Sequence, residues 1–153
     1  MAKSFMTEEQ IFNDAQLIKS MSAPIPIKIR MLSELFSGYE NVWEVVGITK
    51  NAIKRFKDNG FTKKSGMRIN RAHLQDRCVT YEYLLSNDLK IKEWWDYFKK
   101  HNLTILATSE ENKHIKNVHK DEILMIPSGL FKSQGYAWRH GKLEIDFLLK
   151  NYK

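Results

Sequence analysis

Residues 49–73 hold Lys50, Lys54, Arg55, Lys57, Lys63, Lys64, Arg68 and Arg71 against a single acid, Asp58, and the window closes on His73. Its net charge, 8 − 1 = +7, equals that of the whole 153-residue chain, so everything outside it balances. A field of one sign on a neutral background suits contact with a phosphate backbone. An imidazole at the edge of that field is a group that can accept a proton near neutral pH beside docked phosphates. The sequence pI near 9.4 points the same way. Cys78 is the one cysteine, which excludes an internal disulfide and a multi-cysteine zinc site. It lies in an apolar-periodic stretch and is expected to be a buried, inert thiol.

Positioning such groups requires a core, and an apolar fraction of 42% with 12% aromatics is enough for one. No apolar run approaches the roughly 18 residues of a membrane span. The start, Met1 to Glu9, lacks the apolar stretch of a secretory signal. A cytoplasmic, reducing compartment and no membrane partner are the expectation.

Thr7 followed by Gln10 has capping-box spacing and predicts a helix to about residue 21 through Ile11, Phe12, Ala15, Leu17 and Ile18. Pro24 and Pro26 predict an extended connector over 23–27, and a second helix is expected over 28–36. Tyr39 to Asn59 has an apolar segment (Val42, Trp43, Val45, Val46), Gly47, and a second segment with Ile48, Ala52, Ile53 and Phe56. This is the pattern of a helix-turn-helix, with Lys50, Asn51, Lys54, Arg55 and Lys57 on the second helix's polar face. A short strand follows around 67–70, then helices between 74 and 100 broken at Ser86-Asn87-Asp88. Trp94 and Trp95 fall at core spacing in the second of these. Leu103 to Ala107 reads as a strand, Thr108 with Glu111 as a capping box opening a helix, and 141–152 as a last helix.

Between 68 and 114 the order is thus a basic strand ending in His73, two helices, the run His101-Asn102-Leu103-Thr104-Ile105-Leu106, and a capped helix bearing Asn112 and His114. That order resembles the HNH nucleases, and in particular the small endonucleases of phages and mobile introns. The resemblance covers about residues 40–116 and rests on His73, Asn102, and Asn112 or His114. It implies that His73 is the general base and that Asn102 holds the loop orienting it. It further implies that Mg2+, or another divalent cation, binds through Asn112 or His114, and that the substrate is double-stranded DNA. One position departs from the pattern: where many family members place an acid or second histidine before the base, this chain has Ala72. Asp76, Glu110 or Glu111 could substitute.

The expected architecture is α+β and mainly helical. A helical DNA-binding segment over 1–60 contains the helix-turn-helix-like stretch 39–59, and a small strand–helix nuclease motif of the ββα-metal kind lies within 61–153. DNA contacts are expected from Lys50, Asn51, Lys54, Arg55, Lys57, Lys63, Lys64, Arg68 and Arg71. Concerted cutting of both strands would require a homo-oligomer. Three other readings share parts of this pattern. One is a non-catalytic DNA-binding regulator, and another an RNA-binding accessory protein. The third is a PD-(D/E)xK-type nuclease drawing on Glu144 and Asp146 between Lys142 and Lys150.

Overall fold

The computed structural model describes residues 4–134 and 137–152. In chain order the elements are α1 (Glu8–Ser20), α2 (Ile25–Phe36), β1 (Glu44–Thr49), α3 (Lys50–Asp58), β2 (Ile69–His73), α4 (Arg77–Ser86), α5 (Ile91–His101), β3 (Leu103–Thr108), α6 (Ser109–Lys113), β4 (Ile123–Met125), β5 (Ser133–Gln134), β6 (Ala137–Trp138) and α7 (Lys142–Asn151). The class is α+β, as expected. The chain divides into a helical unit, Met1–Val42 with Gln75–Asn102, and a sheet unit, Trp43–Leu74 with Leu103–Lys153. The boundary expected at residue 60 therefore lies inside the sheet unit. No described helix is long and apolar enough to cross a membrane.

The helical unit is α1, α2, α4 and α5. Thr7 opens α1 as expected: its hydroxyl accepts the Gln10 N–H at 3.1 Å, and Gln10 Oε1 accepts the Thr7 N–H at 2.9 Å. Ile11, Ala15 and Ile18 then face inward, while Leu17, one step off that spacing, is exposed. Helix α2 begins at Ile25 rather than 28, because proline is tolerated in a helix's first turn, where its missing N–H has no partner to lose. The core is aromatic. Phe36 stacks on Phe98 at 4.1 Å and on Trp94 at 5.5 Å, and Trp94 meets Trp95 edge-on at 5.0 Å. Trp95 donates its indole N–H to the Glu8 carbonyl at 3.1 Å. Both tryptophans are core residues, as their spacing predicts. Cys78 is exposed, in the first turn of α4, contrary to the expectation of a buried thiol.

The sheet unit holds four strands in the order β2-β3-β1-β4. β1 runs parallel to β3 and antiparallel to β4, and β2 pairs antiparallel with β3 at the edge. The expected supporting helix over 42–46 is instead β1. Its run of β-branched residues fits a pleated surface better than a helix. The unit is therefore strand-then-helix where a helix-turn-helix was expected. Gly47 sits within this strand and is no turn. A Cβ there would come within 2.8 Å of Ile123 Cγ2 and 3.1 Å of Ile105 Cγ2, so only glycine lets these neighbours close over the β1 bulge. Thr49 caps α3 by accepting the Ala52 N–H. Ala52, Ile53 and Phe56 of α3 pack on Val45, Ile48, Ile69 and Leu106 of the sheet, with Phe131, Trp138 and Leu148 completing the cluster. The opposite face is smaller: Ala72, Ile105 and Ala107, with Val46, Ile115 and Ile123 packed against them.

Candidate nucleic-acid interface

The two units differ sharply in charge. The helical unit carries nine Lys and Arg against ten Asp and Glu, a net −1; the sheet unit carries sixteen against eight, a net +8. Every residue of the basic window lies in the sheet unit.

Helix α3 places Lys50, Asn51, Lys54 and Lys57 at the surface because its apolar residues occupy the other side. Lys57 donates to the Tyr152 hydroxyl at 2.7 Å, and that bond raises its pKa. Asn51 donates to Glu111 Oε2 at 3.3 Å, while Glu111 Oε1 accepts the Thr49 hydroxyl at 2.6 Å and the Thr108 N–H at 3.0 Å. One carboxylate thus ties together the ends of the parallel strands β1 and β3, where each runs into a helix. This is the edge at which open α/β sheets gather ligand-binding groups.

Arg55 faces inward and holds the loop between α3 and β2. Its Nη1 donates to the carbonyls of Met67 at 3.3 Å and Arg68 at 3.1 Å, and it pairs with Glu110. The loop leaves α3 by a Schellman turn, with the Phe61 N–H on the Phe56 carbonyl and the Gly60 N–H on the Lys57 carbonyl. Two clefts share Lys64, Gly66, Met67 and Arg68 in their linings. One, of about 410 Å³, is lined by Arg55, Asp58, Asn59, Lys64, Arg68 and Glu110, among others. The second, of about 450 Å³, is lined by Lys63, Lys64, Arg68, Asn70, Ser109 and Trp138, with no carboxylate among its residues. Lys63 lies over the Trp138 ring at 4.2 Å, and burial together with nearby Arg71 lowers its pKa.

Arg71 and His73 share the α3-side face of β2 with Ile69, as the two-residue period of a strand requires. The Arg71 guanidinium stacks on Trp43 at 3.9 Å and donates to Ser133 Oγ at 2.9 Å, and burial pulls its pKa down to about 10. The half-buried His73 ring meets Trp43 edge-on at 5.7 Å. Arg55 and Arg71 are engaged within the unit and Lys63 also donates to the Trp138 carbonyl at 3.4 Å, whereas Lys64 and Arg68 are exposed.

The residues named for the metal centre that the HNH resemblance implies lie on different elements: His73 on β2, Asn102 at the end of α5, Asn112 on α6 and His114 at its end. His73 pairs with Thr104 and Ile69 with Thr108, so His73 lies at the end of β3 remote from α6. Four residues of strand are about 13 Å. Asn112 and the C-capping His114 are exposed on α6 and its end, away from His73 along the strand. Ala72 is fully buried on the opposite face. Of the substitutes considered, Glu110 pairs with Arg55 and Glu111 is taken by Thr49, Asn51 and the Thr108 N–H. Asp76 caps α4 in the helical unit through the Cys78 N–H. Asn102 also belongs to the helical unit, as the C-cap of α5, where its amide donates to the Val42 carbonyl. Among the described residues no cluster of three His, Cys, Asp or Glu side chains could hold a metal ion.

The Glu144–Asp146 stretch is helical, in α7, rather than a strand. Asp146 is exposed, and Glu144 is buried as a structural anchor. Its carboxylate accepts from Arg139 through both oxygens at 3.2 Å and from the Gly141 N–H at 2.9 Å. Burial alone would push this carboxyl up, but the Gly141 N–H and the guanidinium outweigh it and leave the pKa below the ordinary glutamate range.

Three residues of the cationic cleft, Asn70, Ser109 and Trp138, had escaped the sequence reading. Ser109 was visible only as part of a helix start, and nothing local to Trp138 signals that it lies beside Lys63. No protein-family model matches the chain, and no curated protein or solved structure matches it.

Proposed function

We propose that the sheet unit binds double-stranded DNA through its phosphate backbone. The observation that carries this is the cleft bounded by Lys63, Lys64 and Arg68, which has polar hydrogen-bonding groups from Asn70 and Ser109 and no acid. Lys50 and Lys54 extend the cationic surface along α3. Neither they nor the three cleft cations form an ion pair among the described residues, so their charge is available to a polyanion. Each phosphate neutralised releases condensed counterions, so affinity falls steeply with salt. Replacing Lys63 and Lys64 together by alanine is expected to reduce the slope of log affinity against log salt by about two. The same pair of substitutions at Lys90 and Lys92, in the helical unit, is expected to leave it unchanged. Equal slopes for both double variants would refute the assignment. A-form RNA at matched salt separates the RNA-binding alternative, because that ligand presents its grooves differently.

A second reading is the endonuclease that the resemblance implies. Its support is the side-by-side placement of His73 and Arg71 on one face of an edge strand in the unit that carries the cationic cleft. In it the imidazole accepts a proton from water. Supercoiled plasmid with magnesium is the test: nicking that EDTA stops and His73→Ala abolishes supports cleavage. Retardation without nicking leaves a binding protein.

A further inference from the structure

We propose that Arg68 reads a base edge, and that the stretch 64–68 is the ridge that carries it into a groove of duplex DNA. The inference rests on the DNA-binding reading above and names the residue that would select the sequence.

The backbone of Arg68 is left-handed, with φ of +56°. That conformation is unfavourable for any residue with a Cβ and persists where surrounding contacts impose it. Here the contacts are explicit. The Arg68 carbonyl accepts the Ser109 N–H at 2.8 Å, the Ser109 hydroxyl at 3.0 Å and the Arg55 guanidinium at 3.1 Å. On either side in sequence, Met67 and Ile69 are buried in the core. The peptide is thus held from three directions while the side chain stands outside, exposed and without a hydrogen bond or ion pair among the described residues. A glycine would satisfy this backbone more easily. An arginine on this clamped main chain presents its guanidinium outside the unit.

The two clefts divide the chemistry of a nucleic acid between them. The one bounded by Lys63 and Lys64 has no carboxylate and suits phosphate. The other carries Asp58 and Glu110, which disfavour phosphate and can accept hydrogen bonds from the amino edges of bases. Arg68 lines both, standing where backbone gives way to base. A planar guanidinium with paired donors matches the O6 and N7 acceptors of guanine in the major groove, a geometry that a lysine ammonium reproduces poorly.

The test selects ligands for the full chain from short duplexes randomised at their central positions. The ratio of affinities for selected and scrambled duplexes is then measured for wild type, Arg68→Lys and Arg68→Gly. A selected guanine is expected, and both variants should lower the ratio roughly 5- to 150-fold. Arg68→Gly should melt at or above the wild-type temperature, because glycine takes this backbone without strain, so its lost selectivity cannot be misfolding. A ratio unmoved by Arg68→Lys, or wild type that selects no sequence, overturns the inference and leaves backbone binding intact. Absence of salt-sensitive duplex binding by wild type overturns both.

Discussion

Among the described residues of the helical unit, three cations form ion pairs: Lys19 with Asp88, Lys92 with Asp96 and Lys99 with Glu8. In the sheet unit the pairs are Arg55 with Glu110 and Arg139 with Glu144, and both involve a residue that holds a loop in place. Among the described residues, Lys50, Lys54, Lys63, Lys64 and Arg68 stand outside any such pair. The two regions also differ in how they are held. The helices close on stacked rings, centred on Phe36. The sheet unit combines an aliphatic-rich core with polar ties, notably Glu111 between strand ends and Glu144 on Arg139, which in turn donates to the Gly129 carbonyl. A net +8 concentrated in one unit is self-repulsive, whereas the other unit is close to balanced. The difference is one of charge and of core chemistry: one unit is balanced and closes on aromatic rings, and the other carries the excess cations, which on the proposed reading serve a polyanion.

That contrast can be broken most forcefully at Trp94, which is 1% exposed among stacked rings. Trp94→Ala is expected to cost about 3–5 kcal/mol in chemical denaturation. Should it weaken DNA affinity without lowering stability, the assignment of packing to one unit and binding to the other fails. The next effect is smaller and belongs to the sheet unit. Glu144→Gln leaves the Arg139 guanidinium without its carboxylate, and because that group keeps partial access to water the cost is about 2–3 kcal/mol. The same pair gives a direction with pH. The Glu144 pKa is depressed in the fold, so its contribution is complete above the ordinary carboxylate range and is lost as pH falls through the folded value. Acid titration monitored by circular dichroism should therefore show wild type losing stability over that range while Glu144→Gln loses less. The smallest effect is at exposed Cys78, where serine should change stability by less than about 0.5 kcal/mol. A thiol reagent should label the native protein there without denaturant; protection would mean that this surface is covered.

Much of the helical structure in both units was legible because its signals are local. The Thr7 and Thr108 capping boxes, the inward Trp94 and Trp95, and the last helix over 141–152 depend on residues three or four apart. What pairing across the sheet decides has the opposite property. Val42 to Val46 is apolar enough for helix or strand, and partners near Thr104, some sixty positions away, decide for strand. The His73–Asn112 centre was inferred from order along the chain. Order does not reveal that β2 runs antiparallel to β3, and that direction carries His73 away from α6.

Net charge, its confinement to one window, the single thiol and the capped helices follow from residue identity and short-range geometry, so the amino-acid string by itself was sufficient for them. The discontinuous units, the Arg68 backbone clamped by Ser109 and Arg55, and the meeting of Lys63 with Trp138 were decided only by the tertiary structure. The reason is that strand register and loop closure are set by contacts between residues far apart in the chain. Local preference is nearly silent about those contacts until the whole unit packs.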